Sequence, residues 1–483
     1  MTRTRTALAG LAAAVLAVVA VVATTAPTTA AYTDRAEAVT DVFASPTTRF
    51  VPQQTYLAGT ATAVQDDGTI AVWGYRGNGL SGTGTATVDS AATISLVTLP
   101  SEGHPDGARR AVKLAGVSLD NYFPTDPNYS GLAALSDDGR VYTWGGNQAN
   151  NIMGRTSAVP FNRPGQVTIP GTVVDLVSSA SVFLALTDTG DLYTWGYAQG
   201  RGVTGQGTAT ASAATPARIL TGVHSIGAGV WNGWAIRGDT VAGDATTGVL
   251  WWGWANGAGA YAGDPSGDNA TTSRSTPTRS EALSALTTSG CAAVGVVAGS
   301  PEDTCRVRSL TGHYYGSQAV LDDGTLLTWG NYLEWGTGRT DGGSAANNTP
   351  TAITLAAGVT ARQVAATEDY VLVLGSDGYA YVWGRYSYAY GPHPTTGATS
   401  SANIRTPARM TALGTVERLA GNGYSGQALR ADGTLVLWGG TTQGGNHNTH
   451  RVVRNGFATT TTPTSPSQGL TVLVMPGTAA ASA

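Results

Sequence analysis

Chemistry needs side chains that attack, move protons or hold ions, and this 483-residue chain offers few at useful spacing. It has one lysine, Lys113. A phosphate-cradling loop needs Gly-Lys-Ser/Thr, and Lys113 sits between Val112 and Leu114. A Schiff-base enzyme would have Lys113 alone to use. His447 and His450 form His-Asn-Thr-His, but a metal centre needs a third ligand that the sequence does not supply. Gly423-Tyr424-Ser425-Gly426 is not a nucleophile elbow, because its second glycine comes one place early. Carboxylates are plentiful, yet no pair is singled out for acid/base work. The chain therefore reads as no enzyme, with no catalytic residues, no metal and no cofactor.

The two cysteines, Cys291 and Cys305, have 13 residues between them. In an exported protein they read as one disulfide pinning an insertion. Such a bridge would contribute about 3 kcal/mol against local opening. Export is expected from the first 31 residues. Arg3 and Arg5 precede an apolar run from Ala7 to Ala23, and Ala30 and Ala31 are plausible cleavage positions. The mature protein is expected to be secreted and extracellular, with no membrane attachment once the signal is removed.

Charged residues make up 12% of the chain and the net charge is -4. That excludes a basic surface for nucleic acid. The 65 glycines, with abundant threonine, point to strands and turns. Twelve Trp and 19 Tyr exclude a disordered chain.

The strands repeat. AVQDDGTIAVWG (63–74), ALSDDGRVYTWG (134–145), ALTDTGDLYTWG (185–196), AVLDDGTLLTWG (319–330), VLGSDGYAYVWG (373–384) and ALRADGTLVLWG (428–439) are copies of one unit. A seventh, at 235–253, carries an insertion in its turn. Trp73, Trp144, Trp195, Trp252, Trp329, Trp383 and Trp438 recur at a mean spacing of about 61 residues. Each unit reads as strand, Asp-Gly turn, strand, with both turn residues tolerating positive φ. Tyr142 and Trp144 oppose Val141 and Thr143, so both faces are largely apolar and both are buried. Pro164, Pro216, Pro277, Pro350 and Pro407 follow 20–25 residues after a repeat Trp and mark outer, edge-like strands. Each repeat is then an inner Asp-Gly hairpin, a long loop and an outer strand. The expected fold is all-β, a seven-bladed β-propeller over 32–457, with a Thr/Pro/Ser linker at 458–468. A tail at 469–483 follows, in which Leu470–Met475 is a candidate closing strand. Val452 and Val453 resemble the outer strand of the last blade.

The pattern x-Ala-Leu-x-x-Asp-Gly-x-x-x-x-Trp-Gly, followed by a Pro, resembles the repeats of the regulator of chromosome condensation family. That resemblance covers about 50–458 and implies a seven-bladed propeller. The stretch that follows Trp-Gly in the family is degraded here, leaving Gly77-Asn78-Gly79, Gly205-Gln206-Gly207 and Trp335-Gly336. An export signal does not suit the nuclear exchange factors of the family. The context is closer to its secreted bacterial members, the propeller-type β-lactamase inhibitors, which bind an enzyme through a loop-rich rim.

Residues before the hairpin and residues after Trp-Gly share one rim. That rim collects Trp231, Tyr315 and Tyr424, with Tyr75, Arg76, Tyr197, Arg201, Trp254, Tyr332, Arg385 and Tyr386. Exposed Trp, Tyr and Arg are enriched in binding hot spots, so these eleven are the candidate site. A protein partner is expected, bound by a monomer. A carbohydrate or cell-wall polymer is the alternative, stacking on the same aromatics. The opposite rim holds the turn aspartates, read as turn chemistry, with cation binding or an acidic docking face as the alternative.

Overall fold

The structure is a computed structural model. It describes residues 49–57, 60–74, 79–84, 94–118, 130–146, 152–156, 158–198, 200–210, 212–237, 244–255, 264–286, 307–330, 336–340, 347–385, 403–423, 425–439 and 471–473. The chain divides into two units, Met1–Pro46 and Thr47–Ala483, and every described residue belongs to the second. No described helix is long and apolar enough to cross a membrane.

Among the described residues, twenty-eight strands form seven four-stranded antiparallel blades, spanning 50–97, 111–167, 173–220, 225–279, 307–353, 361–409 and 416–473. The first strands of the fourth and fifth also pair in parallel at one place, Ala228 and Thr311. The second blade shows the plan: Ala111–Ser118, Ser130–Ser136, Val141–Trp144 and Gly165–Val167 pair in that order. First strands of neighbouring blades pack against each other and so line the axis. This corrects the expected blade plan. The Asp-Gly hairpin is the middle pair, and the innermost strand is the less regular segment before it. The Pro-marked strand is outermost, as in Ala213–Leu220 and Ile404–Arg409.

The hairpin turn also differs in detail from the expectation. Only the glycine takes positive φ, 74° at Gly139, and its N–H closes on the Ser136 carbonyl at 3.0 Å. Glycine has no Cβ to clash there. The aspartate instead accepts the N–H two residues on, as Asp323 Oδ1 does from Thr325 at 2.7 Å. The turn glycine then ties blades together. Its carbonyl takes an N–H at or just before the start of the next blade, from Val173, Val223, Ala361 and Val416, all at 2.8–2.9 Å.

The seven repeat tryptophans are at most 2% exposed and form the core between blades. Four of them donate their indole N–H to a loop of the preceding blade. Trp144 reaches the Leu80 carbonyl, Trp195 Ile152, Trp252 Val203 and Trp383 Gly336, at 2.9–3.3 Å. Each such bond is worth about 1 kcal/mol net, and losing it would leave a buried N–H unpaired.

The ring closes without a shared blade. Phe50–Pro52 opens the first blade, and Thr471–Leu473 pairs with Leu435–Leu437 to complete the seventh. The expected outer strand at Val452 and Val453 lies outside the described residues. Blades seven and one meet through Leu435 and Leu437 against Trp73 and Phe50, and through an Arg49–Glu417 ion pair.

Candidate functional site

The rim opposite the Asp-Gly turns is built by the glycine of Trp-Gly. At Gly253 φ is +111°, and a Cβ there would lie 2.3 Å from the Trp231 carbonyl. Glycine alone lets the chain bend close enough for Trp254 N–H to donate to that carbonyl at 2.9 Å. The same device sets Tyr197 on Ser181 O at 3.0 Å and Arg385 on Asp369 O at 2.9 Å. In blades three, four and six the repeat thus places one side chain over the turn between the first two strands.

Arg201 from the third blade lies against two indoles of the fourth. Its guanidinium carbon is 4.1 Å from the Trp231 ring centroid and 4.6 Å from that of Trp254. Such cation–π contacts are worth roughly 0.5–2 kcal/mol each, more when water is excluded. Burial pushes the Arg201 pKa below its ordinary value, while the nearby Tyr314 works the other way. In the next blades, Arg385 Nη1 donates to Tyr315 Oη at 2.6 Å, with its guanidinium 5.9 Å from that ring. Tyr314 meets Tyr315 edge-on at 5.2 Å, and His313 meets Tyr315 at 6.4 Å. Arg201, Trp231, Trp254, Tyr314, Tyr315 and Arg385 therefore form one belt across blades three to six.

Exposure within the belt departs from the expectation. Trp231 is 8% and Tyr315 3% exposed, so neither is an exposed hot spot. They are the supports on which the half-buried Arg201 and Arg385 rest. Tyr197, Trp254 and Tyr314 are half-buried too. Tyr75, Arg76, Tyr332, Tyr386 and Tyr424 lie outside the described residues, as do Cys291 and Cys305. Tyr314 and His313 were missed. Their signal was the aromatic run His313-Tyr314-Tyr315, of which the repeat register selects a single member.

Behind the belt, His313 is buried. Its Nδ1 is 2.9 Å from the Gly316 carbonyl, which can only accept, so Nδ1 carries the hydrogen. Burial lowers its pKa to about 4, against the smaller upward effect of that bond.

His104, Asp137 and Asp138 stand near enough together to suggest a cation site. Asp138 is already saturated, however. Oδ1 accepts from Ser136 Oγ at 2.6 Å and Arg109 Nε at 3.0 Å, and Oδ2 from Arg109 Nη2 at 2.8 Å. Burial would raise this carboxyl, but the Arg109 and Ser136 hydrogen bonds outweigh it and hold it at about 2. A metal ion would have to displace a guanidinium. Lys113, the sole lysine, pairs with Asp175.

No family model matches the chain. Solved structures do. Human WBSCR16 superposes with a TM-score of 0.57 and 16% identity, over 79% of this chain and 86% of that one. Prp20p from Saccharomyces cerevisiae, solved in a study of its binding to Gsp1p and histones, gives 0.55 and 18%, over 83% of each. Yeast RCC1 (Prp20) with Kap60 bound gives 0.54 and 20%, over 77% and 78%. The fold is that of the RCC1-type propellers. At these identities the likeness is one of fold.

Proposed function

We propose that this chain is an exported, non-catalytic RCC1-type propeller that binds a protein partner through the loop rim of blades three to six. One observation carries the reading: Arg201 and Arg385 are held half-buried on buried aromatic supports. A guanidinium held this way loses little conformational freedom on binding, and arginine is enriched in binding hot spots. That yeast RCC1 is recorded bound to Kap60, and was studied with Gsp1p and histones, supports a protein partner over other ligands. The sugar alternative is weakened by the belt itself. Arg201 covers a face of each indole that a sugar ring would need. Export rests on the Arg3–Ala31 segment of the sequence. The absence of a catalytic role rests on how the reactive groups are engaged, with Lys113 paired and His313 buried and neutral.

The test is capture from the secretome and cell-wall fraction of the producing cell, with the mature protein as bait. Its comparison is an Arg201→Ala/Arg385→Ala variant. We expect one protein captured at near-equal stoichiometry, with binding weakened about a hundredfold in the variant, as for two hot-spot residues. Capture of wall polysaccharide, or undiminished capture by the variant, would overturn the reading.

A further inference from the structure

The innermost strands on opposite sides of the propeller are bridged by the chain itself. After the first strand ends at Pro52, residues Gln53–Leu57 cross the axis and bond to the innermost strands around it. Gln53 Oε1 accepts from Leu114 N–H at 3.1 Å in the second blade. Gln54 uses both ends of its amide. Nε2 donates to Ala366 O at 2.6 Å in the sixth blade, and Oε1 accepts from Gly421 N–H at 2.9 Å in the seventh. Thr55 N–H donates back to Gly421 O, and Tyr56 N–H to Gly116 O, both at 2.9 Å. Gly116 has no room for a side chain: a Cβ would lie 2.9 Å from both Leu57 and Thr55.

Tyr56 is the far end of this pin. It is 2% exposed. Its hydroxyl lies 2.9 Å from Gly312 O in the fifth blade and 3.3 Å from Ala228 O in the fourth. Ala228 ends the strand that runs into the Trp231 turn. Gly312 stands two residues before Tyr314. The ring belongs to the same packed cluster as Ala180, Val230 and Trp231, with Trp254 and Tyr314 against it. Tyr314 N–H in turn donates to Glu368 O at 2.7 Å, which carries the connection into the sixth blade.

We propose that Gln53–Leu57 is the closing pin of the ring and that Tyr56 is a positioning residue for the rim belt. The seated phenol grips the two strand ends that carry Trp231 and Tyr314, so seating of the segment sets how firmly the rim presents Arg201. The physical reason lies in the closure. Among the described residues no strand is shared between the first and last blades, so within them the two blades meet through side chains alone. A segment bonded to blades on opposite sides of the axis adds a constraint from inside. The consequence for partner affinity rests on the protein-binding reading above. The positioning itself does not, and is tested without any partner.

The experiment is amide hydrogen exchange on the full mature chain, comparing the parent with Tyr56→Phe and Tyr56→Ala. Two groups of amides are read. Ala180, Trp254 and Tyr314 report the loop rim, and Val173, Val223 and Val416 report the turn rim. We expect about tenfold faster exchange at the loop rim in Tyr56→Ala, a smaller rise in Tyr56→Phe, and unchanged turn-rim amides. Tyr56→Phe keeps the ring and loses only the hydroxyl, so it gives the answer if Tyr56→Ala fails to fold. An equal rise at both rims would make the pin a source of general stability and overturn the positioning role. No rise at either rim would overturn the pin as well.

Discussion

The two rims of this propeller are made by the same repeat and have opposite chemistry. At the turn rim the turn aspartates have obvious partners. Asp67, Asp323 and Asp432 accept backbone N–H groups two residues on, and Asp138 is saturated by Arg109 and Ser136. At the loop rim, buried polar atoms lack a hydrogen-bond partner, among them Trp231 Nε1, Asn232 Nδ2, His313 Nε2 and Asn422 Oδ1. A native structure keeps few such atoms, because each costs roughly 1–3 kcal/mol. Such atoms occur beside the turn rim as well, at Arg49 Nε and Arg430 Nε, so what separates the rims is the hydrogen-bonded aspartates of one and the aromatic and arginine belt of the other. The repeat that builds both rims therefore does not by itself say which one works.

The largest expected difference between them is in tolerance of a methyl group. Gly253→Ala puts a Cβ 2.3 Å from the Trp231 carbonyl at a φ of +111°. Gly378→Ala also takes a positive φ, +78°, but its Cβ meets only Thr415 Cγ2 at 4.0 Å. We expect Gly253→Ala to cost about 3 kcal/mol or more, combining strain and clash, and Gly378→Ala about 1–2 kcal/mol from strain alone. Urea unfolding of the two variants measures both. Equal costs would mean that the loop rim yields where the geometry says it is rigid.

How far the sequence revealed this follows the same division. The tryptophans, the Asp-Gly turns and the outer prolines recur in register, so blade number and the middle hairpins were legible from spacing. The innermost strands were not, because Ala111–Ser118 and Val416–Asn422 share small residues and no fixed marker. The belt was legible only as a set of candidates. Nothing in the spacing of Arg201, 30 residues before Trp231, says that the cation lies over the indole and hides it. The pin was invisible for a different reason. Gln53-Gln54-Thr55-Tyr56 has no apolar period, because its bonds go to backbone on the far side of a ring rather than to a neighbouring strand.

Acid should weaken the rims at different pH. Folded His313 holds its proton only below about 4, whereas in the unfolded chain it titrates near 6.5. Between those values the unfolded state binds more protons, so stability falls as pH drops from 6.5 towards 4. Asp138 stays ionised in the folded state down to about 2, against an ordinary 3.8. Its contribution is full above 3.8 and is lost as pH falls from there towards 2. His313→Asn should remove the first step and leave the second. Asparagine already stands at the matching place in the seventh blade, where Val416–Asn422 aligns with Val307–His313. Asp138→Asn should do the reverse. Urea midpoints measured at about pH 7, 5 and 3 separate the two windows. A single step abolished by either change would show that the rims are not energetically distinct.

The smallest effect is the most informative about the turn rim. Asp432 Oδ1 accepts from Thr434 N–H at 2.8 Å in an exposed turn. If the residue is there as an acceptor, Asp432→Asn should be nearly neutral, since an amide oxygen accepts the same bond, and Asp432→Ala should cost about 0.5–1 kcal/mol. If the charge itself mattered, as in a cation-binding or acidic docking face, Asn would cost as much as Ala, and added calcium would raise the parent's melting temperature above that of both variants. Thermal melts of the three proteins with and without calcium decide it. A cost to Asp432→Ala alone, indifferent to calcium, would leave the turn rim as scaffold and the loop rim as the face that meets a partner.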